Sequence, residues 1–325
     1  MLSKIAIIFI AIIIMVTIYE SIHRVQERTR DNMTREKVQK YLANPRNKRP
    51  LMWIHVPYEA NTRKWVNFMS RKTNDLNQPY IELCIQSVIN HCDDTFNICI
   101  IDDSSFNDLL PDWTARLDHM SGPTLEYIRQ LGMTKLIYEY GGMVVPYSFL
   151  CMRDMITMYE TGLYQNKMFI CENTNSSATV SGNPIEFISN IQFFGAEKEN
   201  ETVKELVDLI ADVSSNNYTS EAIFKETFNN WCSQRVGEGS INLVYGSTVG
   251  TKKVDKNPIT MYDLLDNTGD VAFCPNMYGI WIPASKILLS SLYGWFPSLR
   301  KEEILDGNFS LSKYMILALA PAENV

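Results

Sequence analysis

The chain has 325 residues and a formal net charge of −7, with 46% apolar, 11% aromatic and 21% charged residues. That composition excludes a disordered or collagen-like chain and supplies a core of ordinary size for one or two domains. The acidic balance argues against a nucleic-acid partner, which would need a basic face to displace counterions.

The amino terminus opens on Ile5 to Tyr19, IAIIFIAIIIMVTIY, a run without charge. As a helix it would span about 22 Å, and Met1 to Lys4 lengthen it toward the roughly 30 Å of a hydrocarbon core. No small-residue cleavage site follows, so a retained anchor over residues 1–19 is expected rather than a removed signal. Lys4 precedes the run, whereas Arg24, Arg28, Arg30, Arg35 and Lys37 follow it. The positive-inside rule then puts the rest of the chain on the cytosolic side. Five N-x-S/T sequons, at Asn32, Asn175, Asn200, Asn217 and Asn308, point the other way, but an Asn-rich chain acquires such triplets by chance. Residues 20–49 are polar, lack an apolar face and read as a stalk. A globular body is expected over residues 50–325.

Within the body, strands and helices alternate, which indicates an α/β sheet covered on both faces. Leu51 to Val56 is an apolar run between two prolines and reads as a buried strand. Ile81, Cys84, Ile85, Val88 and Ile89 recur at helical spacing between Pro79 and Cys92. Phe96 to Ile101 is a second strand, Met143 to Leu150 a third and Lys167 to Cys171 a fourth. Helices are expected over Thr124 to Tyr140 and Asn200 to Val213. Leu311 to Leu319 would form a docking helix or strand. The seven cysteines are odd in number and form no CxxC pair. A zinc ribbon or thioredoxin motif is therefore unsupported, and reduced core thiols are expected. Tyr278, Trp281, Tyr293, Trp295 and Phe296 could stack sugar rings, but aromatics at this spacing are more often core or interface residues.

The second strand ends in Asp102-Asp103, beyond a strand's carboxyl end, where ligands of open α/β sheets bind. The competing reading is a helix cap or Asx turn, since Asp-Asp-Ser-Ser is turn chemistry. Farther on, Leu136-Ile137-Tyr138-Glu139-Tyr140-Gly141-Gly142-Met143-Val144-Val145 runs a helix into a glycine pair and directly into a strand.

This block resembles the segment of glycosyltransferase family 32 and related capsular polysaccharide synthesis proteins that reads L-Y-x-Y-G-G-I-Y-L-D-x-D. Arg49 to His55 is similar to that family's opening strand, and Asn190 to Lys198 to its N-x-F-x-x-A loop and following helix. The resemblance implies a nucleotide-diphospho-sugar transferase-like, Rossmann-like mixed sheet. It also implies a site where two aspartates hold a metal and the diphosphate of a sugar nucleotide. Here the two metal-binding positions hold Pro146 and Ser148. The family's S-D-x-x-R, whose Asp and Arg meet the nucleotide, falls on Arg129, Gln130 and Met133. Neither proline nor serine supplies the carboxylate oxygens that a hard divalent cation wants. Gln130, Met133, Gly141, Gly142, Pro146 and Ser148 are thus degenerate donor-site positions, and Asp102 and Asp103 are the residual ligand site. Asp112, Asp118, Asp154 and Glu172 are the other candidate carboxylates nearby in sequence, and Arg129, Lys135 and Arg153 the candidate cations of a metal-independent transferase.

No catalytic residue, metal site or cofactor is expected on this reading. Manganese and a sugar nucleotide enter only if transferase activity survives. The pattern, with Leu76 to Tyr80 before the first helix and no aspartate pair after Gly-Gly, looks like proteins of large DNA viruses that enclose an internal membrane. That likeness implies a minor capsid component between membrane and shell, with other capsid proteins as partners. The alternatives are a type II membrane glycosyltransferase, which glycosylated sequons would favour, and a lectin-like glycan binder.

Overall fold

The computed structural model describes residues 49–57, 78–173, 179–180, 183–184, 189–215, 221–266 and 268–320. The chain divides into two compact units, Met1–Lys48 and Arg49–Val325. The anchor over 1–19 lies outside the described residues, as does all of the stalk but Arg49. Among the described residues no helix is long and apolar enough to cross a membrane.

The second unit is a mixed α/β domain. Its elements in order are β1 (Leu51–His55), α1 (Pro79–Cys92), β2 (Asn97–Ile101), α2 (Phe106–Leu109) and α3 (Gly122–Tyr140). Then come β3 (Gly142–Val144), β4 (Phe149–Cys151), α4 (Ile156–Gly162), β5 (Met168–Glu172), β6 (Thr179–Val180), β7 (Asn183–Pro184) and β8 (Ser189–Ala196). The remainder is α5 (Glu201–Ser215), α6 (Glu221–Gly237), β9 (Ile241–Val244), α7 (Met261–Leu265), β10 (Gly279–Trp281), α8 (Ala284–Leu289), α9 (Lys301–Leu305) and α10 (Ser310–Leu319).

Six strands form one sheet in the order β2-β1-β3-β8-β5-β9. β1 pairs parallel with both β2 and β3. β8 runs antiparallel to β3 and to β5, and β9 is parallel to β5. Two reversals cancel, so β1, β2, β3, β5 and β9 all point the same way and their carboxyl ends share one edge. The central strands are apolar on both sides, as parallel strands covered by helices must be. Met52, Ile54, Met143, Val145, Phe169 and Phe193 join one cluster with α1 and the carboxyl-terminal segments. Trp53, Val144, Ile170 and Phe194 alternate with them and are equally buried. On that second face the Trp53 indole lies against Tyr140 of α3, with ring centroids 5.9 Å apart, and donates to the Gly141 carbonyl at 3.1 Å.

α1 starts where Pro79 stands at its first turn, a position that tolerates the missing N–H. Its Ser87 hydroxyl donates to the Cys84 carbonyl at 2.6 Å and accepts from the Cys151 N–H at 2.9 Å, which ties the helix to β4. The buried aromatics of the last third, Trp281, Tyr293 and Phe296, are core residues, whereas Trp295 is exposed. All the cysteines are free thiols; six are buried and Cys274 is partly exposed. Burial pushes the Cys99 thiol up to about 12.

Two expectations need correction. Met143 to Leu150 is not one strand. β3 stops at Val144, and β4 belongs to a separate two-stranded antiparallel sheet with β10. Pro146 cannot donate to the β1 ladder; its carbonyl instead accepts from the Phe149 N–H at 3.0 Å, turning the chain out of the main sheet. Asn190 to Lys198, expected as a loop and following helix, instead lies largely in the eight-residue strand β8, Ser189–Ala196. Its buried Ile191, Phe193 and Phe194 and its place between β3 and β5 override its polar residues.

Candidate functional site

The shared carboxyl edge of the sheet gathers the polar side chains worth attention. Register explains why. His55 pairs with Ile101, so the residues just after β2 come level with the end of β1.

Asp102 and Asp103 part company there. Asp102 is a cap: its Oδ1 accepts the N–H groups of Ser104 and Ser105 at 2.9 and 3.0 Å and both their hydroxyls at 2.7 and 2.9 Å. The Ser105 hydroxyl accepts the Asp102 N–H in return, closing a capping box on the short 3-10 turn Asp103–Ser105. Asp103 is held by cations. Arg129 Nε donates to its Oδ1 at 2.9 Å and Arg129 Nη2 to its Oδ2 at 2.6 Å, a two-pronged fork. His55 Nε2 also donates to Oδ1, at 2.9 Å, because an ionised carboxylate can only accept. The His55 ring rests against Phe106, centroids 5.2 Å apart. Burial by itself would raise the Asp103 carboxyl, but the hydrogen bonds and charges of His55 and Arg129 outweigh it and hold it down at about 2.

The degenerate positions are spent on packing. Met133 is buried on α3. Gln130 reaches Glu126 Oε1 at 3.5 Å, a carboxylate that also accepts from Gln192 of β8 at 3.1 Å. The Gln130 Oε1 is buried without a hydrogen-bond partner among the described residues. Gly141 ends α3 with φ +71° and donates its N–H to the Ile137 carbonyl at 2.8 Å. Gly142 has φ +98° beneath the Leu51 carbonyl. Ser148 is buried, and its hydroxyl donates to the Ile282 carbonyl at 2.7 Å while the Ile282 N–H returns to the Ser148 carbonyl at 3.1 Å. Ser148 thus joins the β3–β4 turn to the segment after β10. An aspartate at 148 would carry its charge into this buried seam. We expect Pro146→Asp with Ser148→Asp to lose about 2–3 kcal/mol of stability by urea denaturation and to gain no metal affinity; saturable manganese binding by a folded variant would contradict this.

The other carboxylates do not assemble a metal site either. Asp154, two residues ahead of α4, accepts the Thr95 hydroxyl at 2.7 Å and the Ile156 N–H at 3.0 Å. Asp112 and Asp118 are exposed. Glu172, at the end of β5, is buried; it pairs with Lys252 and accepts the Gly246 N–H at 2.8 Å. Among the described residues no three His, Cys, Asp or Glu side chains gather around a point that could hold a metal ion. The three suggested cations have other partners. Arg129 holds Asp103, Lys135 lies over the Trp113 ring at 5.9 Å, and Arg153 donates to the Pro275 carbonyl at 3.1 Å beside Tyr278.

Sequence reasoning missed the roles of His55 and Arg129 because the partners lie 48 and 26 residues from Asp103. The signal was available in principle: two parallel strands that end together bring the polar residue ending one beside the acidic turn following the other.

Among solved structures, the chain is similar to the apo-form glycosyltransferase GlyE of Streptococcus pneumoniae TIGR4, with a TM-score of 0.36 and 10% identity over 62% of this chain and 46% of that one. It is also similar to the PaToxG glycosyltransferase, with a TM-score of 0.30 and 10% identity over 65% of this chain and 83% of that one. The chain spans about half the length of the first of these. No family model matches the sequence, and no curated protein matches it.

Proposed function

We propose that the domain is a non-catalytic, glycosyltransferase-like structural module held at a membrane through residues 1–19. The observation that carries this is the state of Asp103. Both Asp103 oxygens are engaged by Arg129 and His55, and Asp102 serves as a cap through its Oδ1. A carboxylate whose charge is already balanced by a guanidinium fork, and which accepts three hydrogen bonds, is a poor ligand for a divalent cation that must also hold a diphosphate. The positions that the resemblance assigns to the metal, Pro146 and Ser148, supply no carboxylate at all. The sequence likeness to proteins of large DNA viruses gives this role its most concrete form, a minor capsid component bridging an internal membrane and the shell. Other capsid proteins would then be its partners.

Titration calorimetry on a folded fragment beginning at Arg49, with UDP- and GDP-sugars and with or without manganese, tests the reading. We expect no metal-dependent heat. Saturable, manganese-dependent binding would overturn it.

One observation favours a second reading, a type II transferase with a displaced, metal-independent donor site. Glu172 pairs with Lys252 at the carboxyl end of β5, and Asn173, the next residue, has its Oδ1 buried without a hydrogen-bond partner among the described residues. Binding of a sugar nucleotide without metal, lost in Lys252→Met, would support it.

A further inference from the structure

Two of the buried thiols touch. Cys92, the last residue of α1, has its Sγ 3.8 Å from that of Cys151, the last residue of β4, and both residues are shut off from solvent. They stand 59 residues apart in the chain, so the contact is made by the fold and not by local geometry. The Cys151 thiol donates to the Arg153 carbonyl at 3.1 Å, which leaves its sulfur to accept from the Cys92 thiol.

Hydrogen bonds tie the two segments together on both sides of the sulfur pair. Before Cys92, the Ser87 hydroxyl accepts the Cys151 N–H at 2.9 Å. After it, the Thr95 hydroxyl donates to Asp154 at 2.7 Å, and the Phe96 N–H donates to the Cys92 carbonyl at 2.9 Å and fixes the turn that follows α1. The end of α1 and the end of β4 are thus held in one register, with the sulfurs facing. Bond formation asks the sulfurs to close from 3.8 Å to about 2 Å. Burial, and after it the neighbouring Cys92 thiol, push the Cys151 thiol up. The thiolate that attacks a disulfide is therefore scarce in the closed domain, and exchange waits for α1 to lift from β4.

We propose that Cys92 and Cys151 are a redox modification site, forming under oxidising conditions a disulfide that locks α1 to β4. The oxidant is a low-molecular-weight disulfide, oxidised glutathione. One cysteine thiolate attacks it and releases one glutathione; the second thiolate then displaces the other glutathione from the mixed disulfide. The two cysteine thiols give up two electrons and two protons, and oxidised glutathione becomes two reduced molecules. The link spans 59 residues of chain, a loop long enough for its closure to restrain the unfolded chain strongly. Because β4 is also the strand partner of β10, the lock fastens the small sheet to the helix packed on the large one. A chain that passes from reducing into oxidising surroundings is thereby stiffened. The inference stands apart from both the membrane reading and the transferase reading.

The full chain, in detergent micelles, is incubated in glutathione buffers that run from reduced to oxidised, with urea below the unfolding transition so that α1 can open. Free thiols are then blocked with N-ethylmaleimide in denaturant, and the unreduced peptides from trypsin and Asp-N digestion are read by mass spectrometry. A Cys92–Cys151 link is expected, with the other cysteines alkylated; fragment ions distinguish Cys92 from Cys84, which shares its peptide. The oxidised chain should melt about 5–10 °C above the reduced one. Dithiothreitol should restore the lower midpoint, and Cys151→Ala should show no difference between the two buffers. Thiols that all stay free in the most oxidising buffer overturn the proposal. So do links through Cys84 or Cys274, or glutathione left attached to Cys92 or Cys151. A Cys92–Cys151 link that leaves the midpoint unmoved or lowers it overturns the lock.

Discussion

Gly142→Ala should unfold the domain or cost it on the order of 4 kcal/mol or more, near the top of the range for single substitutions. The backbone there has φ +98°, where a side chain is strained in any surroundings. Strain is the smaller part. A Cβ at this position would sit 2.2 Å from the Leu51 carbonyl oxygen and 2.9 Å from its carbon. The obstacle is the backbone of β1, which is itself paired with β2 on its other side and cannot retreat without breaking that ladder. Gly239→Ala is the internal comparison. It has φ +73° but nothing within 4 Å of the added carbon, so it should cost only the left-handed strain, about 1–2 kcal/mol. Urea or thermal denaturation of both variants checks the contrast, and near-equal losses would refute the steric account.

Arg129→Leu is the second large effect. It leaves the Asp103 carboxylate, whose side chain is only 22% exposed, without its strongest partner. Breaking a buried pair from one side costs about 3–5 kcal/mol, and the partial exposure here favours the lower end. The effect should depend on pH with a definite sign. Asp103 titrates at about 2 in the folded chain, below its ordinary 3.8. Its contribution is therefore complete above the ordinary value and is lost as pH falls from about 4 through 2, a swing of about 2 kcal/mol. The gap between wild type and Arg129→Leu should be widest near neutrality and narrow by up to about 2 kcal/mol in acid. Asp103→Asn in the same background should add little to the loss, because the two residues act as one unit. A gap independent of pH would mean that Arg129 serves by packing alone.

Local chemistry made much of this fold readable. α1 was marked by Pro79 and a clean helical spacing of Ile81, Cys84, Ile85 and Val88, and β1 by an apolar run between prolines. The glycine pair marked the junction of α3 and β3, although its cause, the close approach of β1, is a long-range fact. Val144-Val145-Pro146-Tyr147-Ser148-Phe149-Leu150 defeated the reading because two short strands of different sheets abut in one apolar stretch. Only the proline hints at the break. β8 was missed for the opposite reason: Asn190, Gln192 and Gly195 look like loop residues, and strand character comes from having partners on both sides. At the site, the competing turn reading of Asp102-Asp103 describes Asp102 well. The ion pair of Asp103 needed the parallel register of β1 and β2 and the position of Arg129 on α3, and spacing along the chain carries neither.

The pairing of β4 with β10 also orders the birth of the molecule. Phe149 to Cys151 find their strand partners only at Gly279 to Trp281, and Ser148 finds the Ile282 carbonyl. On the ribosome, the apolar middle of the chain must wait for more than a hundred further residues to be made. Non-local closure of this kind is slow, and it leaves hydrophobic strand open to capture while synthesis continues. The nascent domain should therefore depend on chaperones until the segment around Ile280 has cleared the exit tunnel. A chain released before that point should aggregate, and it should do so with its first three strands and its glycine junction already present in the sequence.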